Sequence, residues 1–554
     1  MQSLKSNNPT SNFRYTNAIH QISSRIYPQL LHMGNIIICV TGSLIFLFLF
    51  WYSFRFTQYM PPNSPEFPIE RADSVLWNLL TLFVFMGVFT ALMALGKKLS
   101  VKAQNIILRC LVSLMVFCIT FQCFQWIFSA DRIPAADQFY VCHTVNNFMQ
   151  GTYITLDKGY YCELYPRQLG LIALLELVFS IAGPNNYFAF EVISALLVPC
   201  IAFLGYRILR EITKDFSVGV CYCLLMTGCL PLIFYTSYVY GEIAGIFFSF
   251  LAVFFTLRYK NKKKHCLFYM IGILLSFAMA YLVRKNSLIL IIAFCLTALL
   301  WALKEKDKKV LLTVFLAIII PFSAFWGIQQ MYEMRSGIEK SSGIPASAWI
   351  AMGLDEHDGR FGWYYGTKDK DAYIESGYNR EIADVACKQE IKDRLQYLIS
   401  RPSYAIHFFK QKQLSQWNEP LYQAYHFSQN YSEETVPTEG SFLFWLESHF
   451  MLLLGFCDKL QLILYLGMLL YFTFAVKKDS NILHHILPVM IIGGFLFSMI
   501  WEAKARYILP YYIAMFPMAV IGYQQFLIAL NLKRWLAHFS NQPSVKNEQL
   551  HKTN

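Results

Sequence analysis

Asp137 stands in the run Pro134-Ala135-Ala136-Asp137-Gln138-Phe139-Tyr140, just past an apolar stretch, Ile107 to Phe128, of about 23 residues with its flanks. A carboxylate at such a boundary can take a proton from an attacking hydroxyl or amine. The competing role is a helix N-cap ahead of Gln138–Met149, which Asp fills well. Asp131, earlier in the same loop, is a second acid whose simpler reading is a solvated loop position. Glu242 closes Tyr238-Val239-Tyr240-Gly241-Glu242 between two apolar runs, and acids at membrane depth are costly unless they face a cavity or a partner. Arg284 and Lys285 precede Asn286 at a further boundary. A lipid phosphate or diphosphate would explain a basic pair there, because a guanidinium grips phosphate with two donors; snorkelling to headgroups is the plainer alternative. Glu502, Lys504 and Arg506 lie in Trp501-Glu502-Ala503-Lys504-Ala505-Arg506-Tyr507-Ile508-Leu509-Pro510. Arg506 suits a phosphate on which charge develops, or an interface anchor with Trp501 and Tyr507.

These residues need a membrane scaffold to bring them together. The chain has 554 residues, 56% hydrophobic, 17% aromatic and 15% charged. Soluble domains carry roughly 25% charged residues. Apolar runs of about 17–25 residues recur from Asn35 to Leu530, each long enough to cross a bilayer core. Unbroken runs of that kind belong to helices and not to a barrel. Twelve spans are expected, near 35–54, 75–96, 107–129, 187–209, 217–237, 241–258, 266–283, 287–303, 310–328, 448–475, 482–500 and 507–530. A further run, Leu169 to Ile181, is too short to span comfortably and is expected to lie in the interface or re-enter, with Glu176 inside it.

Basic clusters follow alternate spans: Lys97, Lys98 and Lys102; Arg207, Arg210 and Lys214; Arg258, Lys260 and Lys262–Lys264; Lys304, Lys306, Lys308 and Lys309; Lys477 and Lys478; Lys533 and Arg534. They share one side if the short run does not cross, and the positive-inside rule makes that side cytoplasmic, with both termini inside. The net charge of +12 is therefore read as orientation charge, and nucleic acid is not an expected partner. No cleavable signal peptide is expected, because the first apolar run is long enough to stay as an anchor. Two long segments then lie outside: Ala130–Gln168, and Gln329–Leu446 with Trp349, Trp363, Tyr364, Tyr365 and Trp417. The second is long enough to be a folded cap, with a helix-like stretch Asn379–Leu398. Met60–Pro68 reads as an extended Pro-rich connector, and the tail after Leu536 as disordered. The 14 Cys show no metal-ligand spacing. Cys142 and Cys162 share an outer loop, which leaves a disulfide open.

At these motifs the chain resembles the GT-C glycosyltransferases, in the branch of protein O-mannosyltransferases and lipid A aminoarabinose transferases. Pro134, Asp137 and Tyr140 match that family's first outer-loop motif by type, with Gln138 where a second acid often stands. Tyr165-Pro166-Arg167-Gln168-Leu169-Gly170 resembles its Tyr-Pro stretch leading into a membrane helix. Tyr240-Gly241-Glu242 and Arg506-Tyr507-Ile508-Leu509-Pro510 resemble two later motifs. The likeness covers roughly residues 107–530, so the first two spans look like an addition. Gly343-Ile344-Pro345 through Leu354, with Gly362-Trp363-Tyr364, is similar to a bacterial, mostly Gram-positive subgroup.

The resemblance implies an all-α GT-C fold of about 12 transmembrane helices with a short interfacial helix and an external mixed cap. It implies inverting hexosyl or pentosyl transfer from a polyprenyl-phosphate sugar donor to an envelope glycan, lipid or protein acceptor, outside the cell membrane. Asp137 is then the catalytic acid/base, with substrate contacts from Glu242, Arg284, Lys285, Arg506, Tyr165, Arg167 and Tyr507. No cofactor is expected; a divalent cation stays open, though Gln138 removes one of the carboxylates that hard cations prefer. The expected organisation is a cytoplasmic segment 1–34, two added helices 35–106, a core 107–328 with catalytic loop 130–168, the cap 329–446, the last helices 447–530 and a tail 531–554. The alternative from another class is a lipid or polysaccharide transporter or flippase. Transporter sites lie near the midplane at broken helices, whereas the charges here sit at span ends.

Overall fold

A computed structural model describes residues 9–62, 64, 66–261, 265–432, 437–479 and 481–530. The expected basic residues Lys262–Lys264, Lys533 and Arg534, and the polar tail, lie outside the described residues. Eleven described helices are long and apolar enough to cross a membrane, from Pro28–Ser53 to Ala505–Ala529. Each covers one expected apolar run. Their starts are set locally: Ser74, Ser100, Asn186, Asp215 and Asp307 cap helices through their side-chain oxygens. The remaining expected span, 217–237, is a pair, Phe216–Thr227 and Leu230–Ser237, bent by 48°. Pro231 sits at the start of the second piece, where it cannot continue the helix before it. The molecule is a helical polytopic membrane protein.

The short apolar run is the helix Leu169–Ala182, reached through a 97° bend at Tyr165–Pro166. Gly170 lets it lie against the helix Cys266–Val283: a Cβ there would stand 2.2 Å from the Leu282 carbonyl oxygen. Glu176 pairs with Arg335 at 2.6 Å and accepts from the Tyr332 hydroxyl at 2.8 Å. That docking explains why the helix Lys308–Ser336 runs past the expected end at 328: its last turns are held by an acid and not by lipid.

Between Ser336 and Phe450 lie short helices, among them Ala346–Leu354, Arg380–Ser400 and Pro402–Trp417, with a small hairpin Glu356–His357/Arg360–Phe361. Asn379 caps Arg380–Ser400 through its side-chain oxygen. This segment does more than cover the bundle. Residues 412–425 are buried throughout. Trp417 donates to Ser498 Oγ at 3.0 Å, and its carbonyl accepts from Gln461 at 3.1 Å and from Tyr465. Lys412 donates to the carbonyls of Gly353, Met499 (3.0 Å) and Trp501 (2.7 Å), closing the C-terminal ends of two helices with one ammonium.

The basic loops gather at the other end of the bundle. Arg258 pairs with Glu211 at 3.0 Å, Tyr259 reaches Asp307 at 3.4 Å, and Lys478 donates to Gln525 at 3.3 Å. Cys142 and Cys162 are both free and buried, so the disulfide left open by the sequence is not formed. Burial pushes the Cys142 thiol up to about 12, which makes it inert.

Candidate active site

Asp137 is the first residue of the helix Asp137–Met149, and Ala136 before it has a φ of 50°, a conformation L side chains resist. The Asp137 side chain makes no capping bond, so the cap role does not hold. Instead its Oδ2 accepts from Arg506 Nη2 at 2.7 Å, from 369 residues away in the sequence. Arg506 Nη1 donates to the Tyr238 hydroxyl at 2.5 Å. The acid's side chain is 38% exposed, the base's 5%. Burial raises the Asp137 carboxyl, but Arg506, Lys504 and Arg167 outweigh it and hold the group below the usual carboxylate range. Gln138, beside Asp137, is 3% exposed and accepts from the Val239 amide at 2.8 Å. It ties the Asp137 helix to the 238–242 turn.

That turn carries Glu242, which lies 2.8 Å from Arg284 Nη2. The approach is close but not aligned as a hydrogen bond. Gly241 permits it: any Cβ there would meet the Val283 carbonyl oxygen at 2.1 Å. The rings of Tyr240 and Tyr507 stand between the two guanidinium groups, 5.3 and 5.4 Å from Arg284 and 5.7 and 5.5 Å from Arg506. Lys285, next along, sets its side-chain nitrogen 3.0 Å from the Phe325 ring centre and 3.9 Å from that of Tyr281.

Most of these groups border one cavity of about 1790 Å³ at the end of the bundle. Asp137, Tyr165, Arg167, Arg284, Lys285, Arg506 and Tyr507 line it; Glu242 does not, and lies behind Arg284. Asp131 is exposed outside it. The membrane-side wall is apolar, with Leu288, Ile289, Ile292, Phe325 and Phe497. Ile292 is 51% exposed, so this wall presents open apolar surface. Next to that wall Arg167 lies 3.7 Å above the ring of Trp349, which stacks on Trp501, which stacks on Phe497. Arg167 makes no ion pair among the described residues and is held by this aromatic column. Tyr165 donates to Asp369 of the cap, another lining acid.

Sequence reading missed Glu66, Asp369 and Trp349 as lining groups, and the partners of Lys504. Lys504 Nζ lies 3.1 Å from Glu66 and 3.7 Å from Glu502, and Tyr507 donates to Glu502 at 2.9 Å. Burial lowers Lys504, but Glu66 and Glu502 keep its proton bound above the usual lysine range. Among the described residues no three of His, Cys, Asp or Glu come together as a metal cage. The neighbours that act most strongly on Asp137 are Arg506, Lys504 and Arg167. Three cations around one carboxylate make a setting that suits an anion.

Fold and site together define a class: a polytopic helical membrane protein with a charged cavity, apolar along one wall, where its spans meet an end cap. Over residues 37–527 the chain matches, and belongs to, the family described as conserved hypothetical integral membrane protein. No curated protein matches the sequence significantly. Among solved structures it is similar to the archaeal oligosaccharyltransferase AglB from Archaeoglobus fulgidus in complex with an inhibitory peptide and a dolichol-phosphate. That match has a TM-score of 0.39 and 16% identity, and covers 80% of this chain and 52% of that one. It is also similar to the A. fulgidus oligosaccharyltransferase tethered with an acceptor peptide, with a TM-score of 0.40 and 13% identity over 79% and 52% of the chains. The chain spans about half the length of those structures. At that level of superposition the likeness carries no part of the functional reading.

Proposed function

We propose that the protein is an integral-membrane glycosyltransferase of the cell envelope. It moves a hexosyl or pentosyl group, with inversion, from a polyprenyl-phosphate carrier to a glycan, lipid or protein acceptor on the extracytoplasmic face. Both termini are then cytoplasmic. The observation that carries the reading is the Asp137–Arg506 pair, at 2.7 Å, open on its acid side to the cavity. An acid that faces a cavity rich in cations, beside an open apolar wall, suits an amphiphilic phosphate donor. The motif resemblance at Asp137, Tyr165, Glu242 and Arg506 agrees with it.

In this mechanism the prenyl chain lies along Leu288, Ile289 and Ile292, and the phosphate meets Arg284, Lys285 and Arg506. Arg506 is spoken for by Asp137 before the donor arrives. A donor phosphate competes for that guanidinium and loosens its hold on the carboxylate. Asp137 then gains basicity when a base is needed. The acceptor oxygen or nitrogen bonds to the anomeric carbon, the carbon–phosphate-oxygen bond breaks, and Asp137 takes the acceptor's proton. The cations hold the departing polyprenyl phosphate. Arg167, Tyr165 and Tyr507 orient the substrates; Glu242 fixes Arg284 from behind.

Purified protein offered a panel of polyprenyl-phosphate sugars should release polyprenyl phosphate from at least one. No release from any, together with movement of lipid-linked sugar across proteoliposomes, would replace the enzyme by a flippase.

A further inference from the structure

The two helices before Val101 are joined by a segment that reads, from its prolines, as a plain connector. In the structure it is a hairpin. Phe56–Tyr59 pairs antiparallel with Ile69–Ala72, Phe56 opposite Ala72 and Tyr59 opposite Ile69. Its tip is packed down. Phe67 meets the Trp363 ring edge-on at 5.8 Å, Arg360 lies 5.4 Å over Phe67, and Met60, Trp363 and Ala503 form a small buried cluster. This strap therefore lies on both the cap and the loop that precedes the last span.

Glu66, on the tip, lines the cavity. Its Oε1 accepts from Gln423 Nε2 at 2.8 Å and lies 3.1 Å from Lys504 Nζ. Gln423 turns its own side-chain oxygen to the Arg506 amide, at 2.9 Å. Gln423 is itself fixed: its amide donates to Glu419 Oε2 at 2.6 Å, and both it and Tyr422 have left-handed φ angles, 61° and 49°. Two adjacent non-glycine residues in that region store strain that the surroundings must hold. A continuous path thus runs from the strap through Glu66, Gln423 and Arg506 to Asp137, with steps of 2.8, 2.9 and 2.7 Å.

We propose that Glu66 is a positioning residue for the Asp137–Arg506 site, supplied by the added N-terminal helix pair, which holds the Lys504 ammonium away from Asp137 and braces the Arg506 backbone. The inference rests on the glycosyl-transfer reading. A partly exposed ion pair adds little to stability, so its place in the wall points to orientation. Lys504 is among the charges that act on Asp137. It faces Glu66, Glu502, Arg506, Tyr507 and the Tyr364 ring. Without Glu66 the ammonium keeps only the longer 3.7 Å approach of Glu502 and can swing toward Asp137 to compete with Arg506 for it.

Glu66→Gln keeps an oxygen for Gln423 and removes the charge that holds Lys504. With the polyprenyl-phosphate sugar that the unaltered protein turns over best, kcat should fall about 10- to 100-fold, while the donor KM moves less than about threefold. Glu66→Asp should recover part of the rate. In a Lys504→Gln background the same Glu66→Gln change should cost less than about threefold, because the ammonium it controls is gone. An unchanged kcat in Glu66→Gln, or an equal loss in both backgrounds, overturns the inference. A second measurement needs no turnover. A short bismaleimide should bridge Glu66→Cys and Lys504→Cys in membranes, and failure to bridge them overturns the strap's position. Bridging in a protein that turns over no donor would retire the transfer reading and leave the strap in place.

Discussion

Two acid–guanidinium pairs stand at the same cavity and differ in which side chain is the more exposed. In Asp137–Arg506 the acid side chain is 38% exposed and the base 5%. In Glu242–Arg284 the order is reversed, with the acid at 2% and the base at 14%. The same two chemical groups are thus set in opposite sense. The first offers a carboxylate to whatever enters, steadied from behind by a cation. The second offers a cation, steadied from behind by a carboxylate. A site that must accept a proton and also hold a phosphate needs one of each. The Tyr240 and Tyr507 rings separate the guanidinium groups, so the two pairs remain distinct.

The comparison breaks most sharply at Asp137. Asp137→Asn preserves size and an oxygen for Arg506 but removes the base. Transfer should drop by about 10²- to 10⁴-fold, in protein that still inserts and elutes as a single species. Asn caps helices about as well as Asp, so near-normal turnover would return Asp137 to a structural role. The structure already weighs against that role, since the side chain makes no cap bond.

Arg506 serves both the acid and, in the proposed mechanism, the donor phosphate. Arg506→Ala should cost about 2–4 kcal/mol in transition-state stabilisation, read as a loss in kcat/KM for the donor. Arg506→Lys should recover only part of it, because one ammonium cannot serve Asp137 and the Tyr238 hydroxyl as the fork does. Full recovery by lysine would mean that charge alone matters and that the fork geometry does not.

Glu242→Gln tests the reversed pair and should behave in the opposite way. It leaves a buried guanidinium without its counter-charge, at a cost of about 1–3 kcal/mol in stability. Thermal unfolding in detergent would show it as a lower midpoint. The folded fraction should lose less than about tenfold in kcat/KM for the donor, because Glu242 does not line the cavity and acts only through Arg284. A loss of kcat with no loss of stability would place Glu242 among the groups that touch substrate.

Much of the scaffold was legible because it rests on one-dimensional signals. Apolar run length located the spans, and the shortness of Leu169 to Ile181 matched a helix that follows a sharp bend. Proline in Leu230-Pro231 was a visible break that was passed over, and the 217–237 span is bent there. The site was legible as a set of residue types at one kind of boundary. Its pairings were not. Nothing local in the sequence assigns Arg506 to Asp137 or Arg284 to Glu242, because those contacts depend on which span ends are neighbours. Glu66 was missed for a related reason. Prolines around it suggested a passive linker, although an acid between prolines, in a segment as short as the one joining two spans, has few places to go. Arg167 was picked out by resemblance, while its aromatic support from Trp349 and Trp501 needed the cap to fold back onto the bundle.

The smallest effect is the response to mild acid. Burial would raise the Asp137 carboxyl, but Arg506 and Lys504 bring it below its usual value of 3.8. Glu66 is likewise raised by burial and brought lower by Lys504 and Arg506, below 4.5. A carboxyl depressed in the folded state contributes stability that is present above its unfolded value and lost only as pH falls through the folded one. Both losses therefore lie below about pH 4. Between pH 7 and pH 5 the Asp137- and Glu66-dependent part of stability, and kcat/KM for the donor, which reports the free enzyme, should be flat to within about twofold. In Arg506→Ala the attraction that opposed burial is gone, so any residual activity should show an acid limb at higher pH than in the unaltered protein. An acid limb near pH 6 in the unaltered protein, absent from Asp137→Asn, would mean that Arg506 does not hold Asp137 in solution. The opposite orientation of the two pairs would then lose its physical basis.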